Sequence, residues 1–386
     1  MEESCQTNEN GPVYFLDLIV ENVRCFREKQ TLDLSDGEGM PARWTVLLGD
    51  NGTGKTTLLR CLAGLEPFDE YSFDPSEEKE IIPKCYFFNN KKNLISINKK
   101  SYIIGTSNFY MGFFNSDRYE KFGGFKVSYG DLVGIIPLNS EYIYLPARIF
   151  KNLVVYAYGA SRRMGTGALS ETQSPDSSAS LFYDDVSLIN AEEWLLQADF
   201  AVKSADDESK PYFENRFARI KKLLTELLPD VENIRIRPIT KEQKKPGVEL
   251  RTPYGWVGLK NLSLGYQTLI AWMVDLANRL SERYPESENP LAEPAIVLVD
   301  EIDLHLHPRW QRTIIRHLTD IFSQTQFVVT AHSPLIVQSA QDANVVLLRR
   351  EGDQVIIHNS RGIFVAFKEA EYASMICCAT RDEFRF

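Results

Sequence analysis

The chain has 386 residues, 44% of them apolar and 25% charged, and its 43 basic against 53 acidic side chains give a formal net charge of −10. This composition excludes a disordered or fibrous chain, and at about 100–200 residues per domain the length fits two domains or one elaborated one. The excess of acid excludes a surface coated in positive charge, so any contact with nucleic acid requires a local patch.

Six cysteines (Cys5, Cys25, Cys61, Cys85, Cys377, Cys378) form no C-x-x-C pair and are expected to be free thiols in a reducing compartment. The opening residues MEESCQTNENGPVYF lack a basic region followed by an apolar one. No later run reaches the ~18 apolar residues of a membrane span. A cytoplasmic protein without a membrane partner is therefore expected.

In chain order, YFLDLIVENVRCF from Tyr14 and QTLDLS read as strands, and Trp44 to Leu48 as a short apolar strand leading through a Gly-rich turn into a helix. Residues 66–150 are rich in Phe, Tyr, Asn and Gly and predict a strand-rich insertion. Leu153 to Tyr158 predicts a buried strand, followed by a small-polar loop from Gly167 to Ser180 that is expected to be mobile.

Asn190 and Glu193 have capping-box spacing at the start of AEEWLLQADFAV, and a second helix is predicted from Tyr212 to Leu228, stopped by Pro229 and Asp230. IRIRPIT and VELRTPYG read as strands, and NLSLGYQTLIAWMVDLANRL as a turn into a long helix. Then come the apolar strand Ala295 to Val299, the helix RWQRTIIRHLTDIF, the strand QFVVTAHSP and a closing hairpin around Glu351 to Asp353. Strands alternating with helices in the outer thirds predict an α/β sheet flanked by helices, with the middle third inserted.

Gly49-Asp50-Asn51-Gly52-Thr53-Gly54-Lys55-Thr56 matches G-x-x-x-x-G-K-[ST] between a strand and a helix. Backbone N–H groups from Asp50 through Thr57 would cradle phosphates at the helix N-terminus, Lys55 would reach the β- and γ-phosphates, and Thr56 would bind Mg²⁺. Asp300-Glu301 ends an apolar strand as a Walker B motif does; Asp300 would hold Mg²⁺ through its water shell, and Glu301 would orient and deprotonate the attacking water.

Leu262-Ser263-Leu264-Gly265-Tyr266-Gln267 precedes a helix. Read alone, Ser263 is an N-cap. Its place just ahead of Walker B, where RecA-like and AAA+ ATPases have no such element, favours an ATP-binding-cassette signature motif in which Ser263, Gly265 and Gln267 serve nucleotide. His332 ends a strand where the superfamily has its switch histidine, and Asp303 lies where its D-loop crosses a dimer interface. His305 and His307 form an H-x-H without further metal ligands at metal-site spacing, and are expected to shape the turn after Walker B.

With these motifs, together with IVENVRCF from Ile19, YGASRR from Tyr158, DEIDLHLHP and TAHSP, the chain resembles the RecF/SMC-like branch of the ATP-binding-cassette superfamily. Within it the chain is similar to the PtuA- and OLD-type AAA family ATPases of prokaryotic antiphage systems, among them Septu and retron-associated modules. The resemblance implies an ABC-type ATPase head split into residues 12–65 and 246–386, the insertion at 66–150, a strand and loop at 151–186 and a helical hairpin arm at 187–245.

It further implies ATP and Mg²⁺ as ligands, catalysis by Lys55, Glu301 and His332, and a homodimer, with higher oligomers open, that sandwiches ATP between Lys55, Thr56, Asp300, Glu301 and His332 of one copy and Ser263 and Gly265 of the other. The expected function is a slowly turning-over switch controlling a separate effector, such as an HNH nuclease or a retron complex; a RecF-like DNA-repair ATPase is the alternative. The middle helices are too short for an SMC-type coiled coil, and the roughly fifty residues after His332 leave no room for an OLD-type nuclease domain, so no nuclease activity of its own is expected. The DEIDLHLHP sequence and the insertion disfavour a transporter motor.

DNA or RNA stays open. Lys91-Lys92 with Lys99-Lys100, Arg216-Arg219-Lys221-Lys222, and Lys241 with Lys244-Lys245 are candidate patches, each with solvated charged surface as the plainer reading. Tyr86, Phe87, Phe88, Tyr110, Phe113 and Phe114 could stack on bases or pack a core.

Overall fold

Continuous apolar runs form strands buried on both faces, as a parallel sheet covered by helices requires. A computed structural model of the chain describes residues 12–21, 23–38, 40–63, 87–88, 94–95, 108–115, 120–128, 135–137, 154–166, 177–340 and 342–360. The chain divides into one unit of Met1–Tyr156, Pro294–Ile302 and Thr325–Phe386, and a second of Ala157–Glu293 and Asp303–Gln324.

In the first unit, β3 (Trp44–Gly49), β13 (Ala295–Val299), β14 (Thr325–Thr330), β15 (Asn344–Glu351) and β16 (Gln354–Ser360) belong to a sheet of order β16-β15-β3-β14-β13-β9, where β9 is Val155–Tyr158. Neighbours β13/β14, β14/β3 and β3/β15 are parallel, while β15 and β16 form the predicted antiparallel hairpin. Trp44 stacks on Phe327 with centroids 4.2 Å apart, locking β3 to β14. Helices α1 (Lys55–Ala63) and α8 (Pro334–Ser339) follow β3 and β14.

An antiparallel sheet of order β2-β1-β6-β7-β8 joins β1 (Val13–Glu21) and β2 (Gln30–Asp33) to β6 (Asn108–Asn115), β7 (Glu120–Ser128) and β8 (Ile135–Pro137). A separate pair is β4 (Phe87–Phe88) with β5 (Leu94–Ile95). Strands 6 to 8 thus fall within the segment expected to be strand-rich, and β6 pairs with the N-terminal β1 rather than closing a sheet of its own.

Side-chain amides tie the two larger sheets together where strand ladders cannot. Gln326, 2% exposed, accepts from Phe15 N at 2.9 Å and donates to Phe15 O at 2.8 Å, so it presents one donor and one acceptor as a neighbouring strand would. Gln30 does the same for β16, accepting from Ile357 N and donating to Val355 O, both at 2.6 Å.

The second unit is built around α5 (Leu264–Arg283), a 20-residue helix with fourteen buried residues. It also contains α2 (Ala179–Phe182), α3 (Ala191–Ser204), α4 (Lys210–Leu227), α6 (Pro308–Gln311) and α7 (Ile314–Ile321). Asn190 Oδ1 caps α3 by accepting from Glu193 N at 3.2 Å. Asn190→Ala is expected to cost about 1 kcal/mol, read as a lowered melting temperature. α4 ends where predicted: Pro229 cannot continue it, and Asp230 takes φ +63.

A three-stranded antiparallel sheet completes the unit, with order β10 (Asn233–Arg237), β11 (Gly247–Thr252), β12 (Gly255–Gly258). The boundary expected at 245/246 falls between β10 and β11, which are hydrogen-bonded neighbours.

One expectation changes. The helix expected through RWQRTIIRHLTDIF is broken: Thr313 N bonds to Trp310 O, tightening the turn, and Thr313 takes φ −125, so α7 starts anew. Of the small-polar loop from Gly167 to Ser180, residues 167–176 lie outside the described residues, and Ser177 O accepts from Ala157 N at 3.0 Å.

Candidate nucleotide site

β3 ends at Gly49, and the following loop turns back on itself into α1. Lys55 is 6% exposed, and its Nζ donates to Gly49 O at 2.6 Å and Asp50 O at 2.9 Å. Thr53 Oγ1 donates to the same Asp50 carbonyl at 2.9 Å. Asp50, Asn51 and Gly52 lie exposed at the loop tip, while Thr57 is buried in the first turn of α1.

Gly54 has φ +87, and a Cβ there would come within 2.6 Å of Cys25 Sγ and 2.8 Å of Phe26. The loop is therefore wedged against the turn at 23–26, where Val23 and Phe26 exchange backbone hydrogen bonds. Burial raises the pKa of the Cys25 thiol above its ordinary range. The turn also brings Arg24 Nη1 to 3.5 Å from Thr57 Oγ1, and burial lowers the guanidinium's pKa from its usual value.

Across the parallel sheet, Thr56 Oγ1 donates to Asp300 Oδ2 at 2.7 Å. Asp300 Oδ1 accepts from Thr330 Oγ1 at 2.6 Å, and that hydroxyl itself accepts from Glu301 N at 2.7 Å. Glu301 has φ +48, a sparsely populated conformation for a residue other than glycine. Thr330 holds it there from both sides, since Thr330 O also accepts from Ile302 N at 2.9 Å. His332 Nε2 lies 3.9 Å from Glu301 Oε1, with both side chains about one-third exposed at 35% and 34%.

The first unit thus brings together Lys55, Thr56, Asp300, Glu301 and His332. Sequence reasoning missed Thr330 and gave Arg24 no role. Strand pairing accounts for Thr330: Val299 and Val329 are register partners in adjacent parallel strands, so the residues following them, Asp300 and Thr330, are neighbours.

Ser263, Gly265 and Gln267 lie in the second unit, at the start of α5. Ser263 precedes the helix with its exposed side chain making no capping bond. Gln267 Nε2 donates to Leu262 O at 2.7 Å and Lys260 O at 3.2 Å, fixing the turn rather than offering its amide outward. A Cβ on Gly265 would overlap the carbonyl oxygen of His305, which has φ +62. Because the obstacle is backbone, Gly265→Ala is expected to destabilise by ~1–3 kcal/mol, measured as a lower urea midpoint at unchanged slope. His307 Nδ1 caps α6, accepting from Arg309 N at 3.3 Å, so both histidines shape this turn.

The candidate basic patches separate. Arg216 donates to Asn278 Oδ1 at 2.6 Å and lies over Trp194, and Arg219 donates to Glu288 O at 2.7 Å, so both serve packing. Lys91, Lys92, Lys99 and Lys100 lie outside the described residues, as do Tyr86 and the side chains of the other aromatic residues named in the insertion.

A phosphate loop opening a helix beside a Walker B carboxylate on a mainly parallel sheet, with an added antiparallel sheet, defines an ABC-type P-loop ATPase head. The chain belongs to the family described as "AAA domain, putative AbiEii toxin, Type IV TA system", whose model matches residues 44–338.

Among curated relatives, it is 45% identical over 92 residues to the Retron Vc95 probable ATPase of Vibrio cholerae serotype O1 biovar El Tor, a match covering 24% of this chain and 18% of that protein. It is 26% identical over 362 residues to the Septu protein PtuA of Bacillus mycoides (strain KBAB4), covering 92% of this chain and 43% of that one. The chain thus spans less than half the length of these relatives. Among solved structures, the SMC head domain from Thermotoga maritima matches 90% of this chain and 98% of its own at 15% identity and TM-score 0.45. No helix among the described residues is long and apolar enough to cross a membrane.

Proposed function

We propose that the chain binds and slowly hydrolyses ATP as a dimerising switch in a prokaryotic antiphage defence complex, controlling a separately encoded effector, a nuclease. The observation that carries the reading is the convergence of Lys55, Thr56, Asp300, Glu301 and His332 beside the phosphate loop. The names of the retron and Septu relatives support the choice of system.

Magnesium fits the residues present. The Thr56 hydroxyl and Asp300 carboxylate are hard oxygen donors 2.7 Å apart, and would hold the ion, Thr56 by its hydroxyl and Asp300 through the ion's water shell. When bound, it would offset phosphate charge. The loop amides from Asp50 to Thr57 would bind the phosphates, with Lys55 as the buried positive charge among them. Glu301 would accept a proton from the attacking water, and His332 would help align that water and the γ-phosphate.

Ser263 and Gly265 of a second copy would contact the γ-phosphate through the N-terminus of α5, so ATP would join two subunits. Phosphate release from ATP should require Mg²⁺, and co-expression with the product of a neighbouring gene should protect bacteria from phage. Absence of Mg²⁺-dependent phosphate release would remove the enzymatic reading. Protection that survives loss of nucleotide binding would remove the switch.

A further inference from the structure

The sheet β10-β11-β12 turns one set of side chains into the unit's core, where Ile234, Val248 and Leu250 are each 1% exposed. By the strand period of two, the opposite face carries Arg235, Arg237, Glu249, Arg251 and Trp256. Arg251 and Trp256 are register partners, and the guanidinium carbons of Arg235 and Arg251 lie 4.0 and 5.8 Å from the Trp256 ring centroid.

Arg235 is held in place because its Nε and Nη2 donate to the same Glu249 oxygen at 2.9 and 2.8 Å, leaving its side chain 45% exposed. Tyr254, at the turn between β11 and β12, is 97% exposed. Exposed Lys241, Lys244 and Lys245 lie on the loop joining β10 to β11. From Glu232 to Lys260 there are seven basic residues against three acidic ones, in a chain whose overall balance is −10.

We propose that this face binds single-stranded nucleic acid. The charge alone would also fit an acidic peptide. What favours a nucleic-acid strand is the set of planar groups: the fixed Arg235 guanidinium over Trp256, Arg251 near the same ring and the exposed Tyr254 at the β11–β12 turn supply stacking platforms, with the lysines at the other end of β11 for phosphates. A carboxylate-rich peptide makes no use of flat π faces. Glu249 does not oppose the strand's charge, since Arg235 and Arg237 both lie within ion-pair distance of it.

The test is fluorescence anisotropy of labelled dT20 and U20 with full-length protein, against a labelled polyglutamate of similar charge and a DNA duplex. Single strands are expected to bind at low salt, with affinity falling as salt rises. Tyr254→Ala, whose side chain is almost wholly exposed and safe for folding, and Trp256→Ala should each weaken binding by roughly 5-fold or more. K241E/K244E/K245E should also flatten the salt dependence. ATP turnover without nucleic acid should be unchanged in Tyr254→Ala, separating this surface from the nucleotide site. The dT20 arm against U20 tells DNA from RNA, and preference for either supports the proposal. No binding of either strand, binding indifferent to both Tyr254→Ala and the charge reversal, or tighter binding of polyglutamate or duplex would each overturn it.

Discussion

Replacing Glu301 with Gln is expected to lower ATP turnover by roughly 10²–10⁴-fold, the usual contribution of a positioned general base, while ATP stays bound. Gln keeps the volume and the backbone anchor, because the Glu301 N–H and its neighbour Ile302 both bond to Thr330 and neither bond involves the side chain. What is lost is the proton acceptor beside His332. ATP retention follows from a separate source of binding, the phosphate loop and Lys55. Steady-state phosphate release together with calorimetric ATP titration checks both halves. Turnover at the wild-type rate would remove Glu301 from the reaction.

Lys55→Ala has the opposite signature, losing nucleotide itself. The ammonium is almost fully buried, with two loop carbonyls as partners at 2.6 and 2.9 Å. Truncation removes the positive charge expected among the phosphates and deprives both carbonyls of a donor. Removing one partner of a buried charged contact costs about 2–5 kcal/mol, so the ATP dissociation constant should rise by roughly 30- to several-thousand-fold. An unchanged dissociation constant would place the phosphates elsewhere.

The candidate nucleotide site was legible because most of it is local. The phosphate loop is contiguous, and Asp300-Glu301 and His332 each end an apolar strand, so each could be read without knowing which strands pair. Thr330 was not legible on its own: a threonine inside an apolar strand looks like a β-former, and only adjacency to β13 turns it into the clamp on Asp300 and Glu301. The same holds for Gln326 and Gln30, whose amides act as surrogate strands across some 300 residues of sequence.

The break at Thr313 was hidden because apolar spacing continues across it. The pairing of β1 with β6 was hidden because strand partners far apart in sequence leave no periodic trace. At Gly265 order and spacing pointed to a motif, and the packing was hidden: part of the demand for glycine is the His305 carbonyl pressed against it.

The central claim, that ATP joins two copies of this chain, is tested most directly by sedimentation velocity of Glu301→Gln, which should hold ATP without consuming it. With Mg²⁺ and ATP the account predicts a shift from the nucleotide-free sedimentation coefficient to that of a doubled assembly, abolished by adding Lys55→Ala to the same chain. An assembly state unchanged by ATP, or one that Lys55→Ala leaves intact, would contradict it.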